Sequence, residues 1–153
     1  MGEDLGGGGD ADREGALMRA KGVEGDPQVI IPLRTPFVDE RGEIQNLIDA
    51  PFTSAAVIRS LKSAVRGNHY HKTDYHYAWL QSGGLIYSHR PVGDSAPPTR
   101  WVIAPGQMFY TPPMYEHTMQ FTADSVLLVF ARNNRQMSNY EADTVRISAM
   151  GSP

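Results

Sequence analysis

From Gln28 onward the chain is a succession of short apolar runs: QVIIPL, EIQNLI, AAVIRSL, NHYHK, YHYAWLQ, LIYSHR, RWVIA, QMFYT, EHTMQF and SVLLVFAR. Each is roughly four to eight residues long, a strand's length. They are rich in Val, Ile, Tyr, Trp, Phe and Thr, whose branched or aromatic side chains suit a pleated surface. ERGE, QSGG, APGQ, PPMY and TADS separate them with turn chemistry. A chain punctuated this often cannot build long helices, and no segment after residue 28 carries a convincing helical period. Many short strands at this spacing predict an all-β sandwich or jelly-roll barrel. The final stretch, NNRQMSNYEADTVRISAMGSP, has a weak pattern and reads as a loop or an extra edge strand.

Composition narrows the partners. With 153 residues the chain has one domain's length. Its formal charge of −3 gives no electrostatic attraction to nucleic acid or an anionic membrane. The absence of cysteine excludes disulfides, cysteine-ligated zinc and thiol nucleophiles. No run approaches the roughly 20 apolar residues of a membrane span. The start, MGEDLGGGGDADREG, is acidic and glycine-rich, unlike a signal peptide, so a cytoplasmic protein is expected. Residues 1–27 read as a flexible tail, with a short helix around Ala11–Lys21 as its one regular element, and residues 28–148 as the barrel.

The histidines carry the chemistry. His69 and His71 are two apart in GNHYHK, so on a strand they share a face. His76 opens YHYAWLQ, and His117 opens HTMQF, where His117, Met119 and Phe121 share a face. Three successive β segments thus offer imidazole to a common interior. Imidazole suits zinc, nickel, iron and copper. His89, in YSHRP, has no companion and reads as an ordinary strand residue.

The spacing of these residues resembles the two motifs of the cupin superfamily. His69-x-His71 is followed by four residues, His76, six residues and Gly83; later, five residues separate Gly106 from Pro112 and four more separate Pro112 from His117. The resemblance implies a single-domain cupin, a double-stranded β-helix or jelly-roll barrel. It also implies one divalent ion (Zn, Ni, Fe, Mn or Cu) on His69, His71, His76 and His117. Two positions depart from the family pattern: His76 stands where a glutamate is usual, and Met114 replaces a glycine in a turn. The first change predicts an all-imidazole set that leaves the ion its full charge and makes it a stronger Lewis acid.

Asp39-Glu40-Arg41-Gly42 and Arg66-Gly67-Asn68-His69 further resemble segments of cupins acting on nucleotide-linked deoxysugars. These are the 3,5-epimerases, the 3,4-ketoisomerases and the cupin domain of capsular polysaccharide enzymes. Moving a proton beside a ketone needs a base and a group that stabilises the enolate oxygen. The candidates are His69, Tyr77 and Arg59 for catalysis, and Arg66, Tyr110 and Met119 for substrate binding. Arg59 alternates with Val57 and Leu61, which permits an inward arginine. In the metal-free epimerases that this chain resembles, the residue matching His69 is the base, a role it cannot combine with metal binding. The leading expectation is an isomerase or epimerase of an activated keto-sugar. A metal-dependent dioxygenase and a non-catalytic binding cupin are the alternatives. A small-molecule substrate and a homodimer paired through edge strands at 28–33 and 43–48 complete the expectation.

Overall fold

The computed structural model describes residues 27–150. The expected tail, apart from Pro27, and the helix around Ala11–Lys21 lie outside the described residues. The chain begins with β1 (Ile30–Ile31) and a small hairpin, β2 (Phe37–Asp39) and β3 (Gly42–Ile44). Longer strands follow: β4 (Ser54–Ser60), β5 (Val65–His71), β6 (His76–Ser82) and β7 (Leu85–Pro91). After them come β8 (Thr99–Ile103), β9 (Met108–Thr111), β10 (Tyr115–Phe121) and β11 (Ser125–Ala131). A helix, α1 (Met137–Asp143), and β12 (Thr144–Arg146) close the described chain.

The strands form two five-stranded antiparallel sheets, ordered β1-β9-β6-β11-β4 and β12-β5-β10-β7-β8. Their inner faces meet in one core. Ala78, Leu80, Phe109, Leu127 and Val129 come from the first sheet, and Leu85, Tyr87, Ile103 and Phe121 from the second. Burying each large apolar side chain there contributes about 1.5–3 kcal/mol, and alternation sends the intervening residues outward. The outer face of the first sheet is not left bare. Tyr77 and Met108 pack with Ile31 and Ala50, joined by Leu33, Leu47 and Ile48. The run EIQNLI is therefore a strand only to Ile44; its later residues form a covering loop.

The C-terminal stretch supplies the expected edge strand, since β12 pairs with β5. It also holds α1, which the sequence pattern does not reveal. Two turns are too short for a readable period, and none of the helix residues is buried. The Asp39–Arg41 pair closes the β2–β3 turn: Arg41 donates its backbone N–H to Asp39 Oδ1 (2.9 Å) and its Nε–H to Oδ2 (3.0 Å). Among the described residues no helix is long and apolar enough to cross a membrane.

Candidate metal centre

A bulge in β5 builds the site. Gly67 has φ +92° and Asn68 φ +55°, a left-handed pair in which glycine meets no Cβ penalty and asparagine is among the better-tolerated residues. The register with β10 shifts between His117 and Thr118, which brings His69 directly opposite His117. A Cβ at Gly67 would lie 2.7 Å from the His117 carbonyl oxygen. The glycine of the Arg-Gly-x-His run is thus required by close approach of two backbones. The second departure from the motif also reaches this strand. Met114 takes φ +60° in its turn, at a cost of about 1–2 kcal/mol, and its N–H donates to the His71 carbonyl (2.8 Å).

Ring centroids are 4.7 Å apart for His69–His71 and for His69–His117, and 5.6 Å for His71–His117. One nitrogen from each lies within 4.8 Å of the others. Their neighbours decide which nitrogens carry lone pairs. The Thr144 hydroxyl donates its one proton to the Tyr140 carbonyl (2.6 Å), so it accepts from His71 Nδ1 (3.2 Å). His71 Nε2 is then the lone-pair nitrogen, and it is buried without a hydrogen-bond partner. His117 Nδ1 lies 3.1 Å from the Tyr115 carbonyl, which can only accept, so its Nε2 also carries the lone pair. Outer partners that orient imidazoles in this way are characteristic of metal-binding histidines. An orphaned buried lone pair beside two further imidazoles fits a divalent ion.

Electrostatics agree with that fit. Burial, then the neighbouring His76, Arg146 and Arg135, push His69 down to about 4. Burial, then His76 and His69, push His71 down to about 3. His117 is also held well below the ordinary imidazole range, first by burial and then by His69. The cluster is therefore neutral near pH 7 and ready to donate electrons. These lowered values also couple to folding. The unfolded chain takes up protons near pH 6.5, whereas the folded one resists them until about pH 4 and below. The contribution is complete above pH 6.5 and is lost as pH falls through that window. Thermal melts of chelator-treated protein should move to lower temperature between pH 7.5 and pH 5; identical melts would contradict the assignment.

His76 is adjacent, its ring 4.7 Å from that of His71, but its Nε2 donates to Asp74 Oδ2 (2.9 Å). Among the described residues it lies outside the mutually close nitrogen set. Burial pulls the Asp74 carboxyl up, yet the hydrogen bonds from His76 and from the Asn133 N–H outweigh it and hold the group below the usual carboxylate range. Asp143, ending α1, fastens the preceding turn: Oδ1 accepts from Thr73 N–H (2.9 Å) and the Thr73 hydroxyl (2.8 Å), and Oδ2 from Asp74 N–H (3.0 Å).

Several expected site residues lie elsewhere. Tyr77 follows His76, so when His76 points inward Tyr77 must point out; it packs in the outer cluster with Tyr110, rings 4.8 Å apart. Neither tyrosine faces the histidines. Arg59 is exposed on the outer face of β4 beside Val57 and Leu61, while Ile58 and Ser60 point inward. Arg66 is exposed and ties β5 to β4, donating Nε–H to Ser60 Oγ (2.8 Å) and Nη2–H to the Arg59 carbonyl (3.3 Å). Met119 does lie on the His117 face, packed against the core.

Other residues emerge only from the fold. Tyr140 of α1 sets its ring 6.4 Å from His69 and 5.6 Å from His71, with the Arg135 guanidinium 5.7 Å from its centroid. His89 is buried opposite His117, its Nδ1 3.2 Å from the Tyr87 hydroxyl and its ring flanked by Trp101 and Tyr115. Asp74 had a readable signal, since a carboxylate two residues before a candidate ligand histidine is within reach of its ring. Tyr140 and Thr144 had none.

Two facing antiparallel sheets in this order form a jelly roll of the cupin fold, with inward histidines on β5, β6 and β10. No family model matches the chain, and no curated protein matches it. The fold is similar to that of the sugar 3,4-ketoisomerase QdtA from Thermoanaerobacterium thermosaccharolyticum, solved with TDP (TM-score 0.62, 20% identity, 78% of this chain and 86% of that one). It is also similar to the dTDP-4-dehydrorhamnose 3,5-epimerase of Sulfolobus tokodaii (0.61, 21%, 74% and 73%). The capsular polysaccharide assembling protein CapF of Staphylococcus aureus is matched over 78% of this chain but 32% of its own length (0.58, 22%).

Proposed function

We propose that this chain is a metal-binding cupin enzyme of the isomerase or epimerase type, acting on a nucleotide-linked keto-sugar. The observation that carries the metal reading is the His69, His71 and His117 nitrogen set, with an unpartnered buried lone pair on His71 Nε2. The substrate class rests on the fold shared with sugar ketoisomerases and a 3,5-epimerase. His76 completes the ligand set, and His69 serves as ligand rather than base. When bound, the divalent ion (Zn, Ni, Fe, Mn or Cu) would polarise the substrate carbonyl.

The remaining work falls to the chain's own side chains. Tyr140, its ring edge-on to His69 and His71, takes the proton from the carbon beside the carbonyl as its phenolate and returns it, a catalytic place that the position of Tyr77 denies to that residue. Met119 and Phe121 on the His117 strand form an apolar wall that limits water. Reconstituted protein is expected to carry about one metal per chain. It should also wash solvent deuterium into a nucleotide-linked 4-keto-sugar, more slowly after Tyr140→Phe by roughly 100-fold or more. Protein without metal after reconstitution refutes the centre. Oxygen uptake with phenols or diketones in place of exchange would replace the isomerase reading by an oxygenase.

A further inference from the structure

A dication on neutral imidazoles in a largely buried site leaves positive charge that the protein must compensate, because unpaired buried charge is costly. Two carboxylates lie beside the cluster. Oxygens of Asp74 and Asp143 lie within 4.8 Å of each other and of a His71 nitrogen. Asp143 is committed to the turn, since both its oxygens accept from Thr73 and from the Asp74 N–H. Asp74 is different. It is 5% exposed, and its Oδ1 accepts the Asn133 N–H (3.0 Å) while Oδ2 is given over to His76 Nε2 (2.9 Å). Because the carboxylate accepts, His76 Nε2 carries the proton and Nδ1 is left with the lone pair.

We propose that Asp74, acting through His76, is the counter-charge of the metal centre: it holds His76 in the tautomer with its lone pair on Nδ1 and sets one negative charge against an otherwise neutral ligand set. The inference rests on the metal reading above and revises the expectation of an ion that keeps its full charge. A carboxylate bonded to a ligating imidazole raises the basicity of that ligand, and its loss typically lowers metal affinity about 10–100-fold. Asp74 is a positioning residue, since it touches the centre only through His76.

The test is a Co²⁺ titration, read by visible absorption and competition with a chelator, of four proteins: wild type, Asp74→Asn, His76→Glu and the double variant. Asp74→Asn keeps an acceptor for the Asn133 N–H, so its metal-free melting temperature should stay close to wild type. It should bind Co²⁺ about 10–100-fold more weakly and shift the ligand-field bands. His76→Glu places a carboxylate in the set directly, so adding Asp74→Asn in that background should leave affinity and spectrum nearly unchanged.

Wild-type affinity and spectrum in Asp74→Asn would overturn the proposal. So would an equal loss in both backgrounds, which marks a structural role; this comparison stays decisive if the single variant folds poorly. Failure of wild type to take up Co²⁺ overturns the metal reading itself, an outcome distinct from these.

Discussion

Leucine in place of His71 should abolish metal uptake, lowering affinity by more than about 100-fold, and yet leave the metal-free protein at least as stable as wild type. A removed ligand should cost more than the 10–100-fold typical of its outer partners. The stability half follows from the hydrogen bonds. His71 is 2% exposed and buries Nε2 with no partner, a desolvation cost of about 1–3 kcal/mol. The Thr144 hydroxyl keeps its donor bond to the Tyr140 carbonyl when the imidazole is gone, so little is orphaned in exchange. A gain of about 1 kcal/mol corresponds to roughly 2–4 °C in a chain of this size. Co²⁺ titration and melts in chelator check both halves. A variant that binds metal as wild type does, or melts far below it, would show that His71 is a packing residue.

Alanine at Gly67 carries the second large effect. Its φ of +92° lies where side chains are strained, at about 1–2 kcal/mol. The added Cβ would also meet the His117 carbonyl at 2.7 Å and the Thr118 Cα at 3.0 Å, both backbone atoms that cannot swing aside. Overpacking of this kind adds about 1–3 kcal/mol, for a total of about 2–5 kcal/mol. Relief requires β5 and β10 to separate at the bulge, which pulls His69 from His117, so metal affinity should fall together with stability. Gly106 is the control: φ is +87°, but nothing lies within 4 Å of its Cβ position. Gly106→Ala should show the backbone strain alone and spare the centre. Denaturant unfolding of the two variants isolates the clash, and equal losses with normal metal binding in both would refute it.

Much of this fold is local and therefore readable. Apolar runs separated by Gly, Pro and Asp turns predict short strands, and those strands are present. Parity along a single strand places His69 with His71, and His117 with Met119 and Phe121. Parity does not say which face is inside when both are apolar. On β4 the choice lay between Val57-Arg59-Leu61 and Ala56-Ile58-Ser60, and packing turns the second set inward. On β6, His76 and Tyr77 are neighbours with opposite faces. A single interior site could never have used both.

The residue pattern alone dictated short strands packed as a barrel and the histidine pair on one strand face. It did so because turn chemistry and period-two alternation act over a few residues. Which nitrogens meet, and which carry lone pairs, is set by packing between distant strands. His69 faces His117 across a register shift, and His71 receives its tautomer from Thr144, 73 residues away. Tyr140 and the outward turn of Tyr77 and Arg59 belong to the same class. Each depends on contacts between strands and loops far apart in the chain, set by the packing of two sheets on one core.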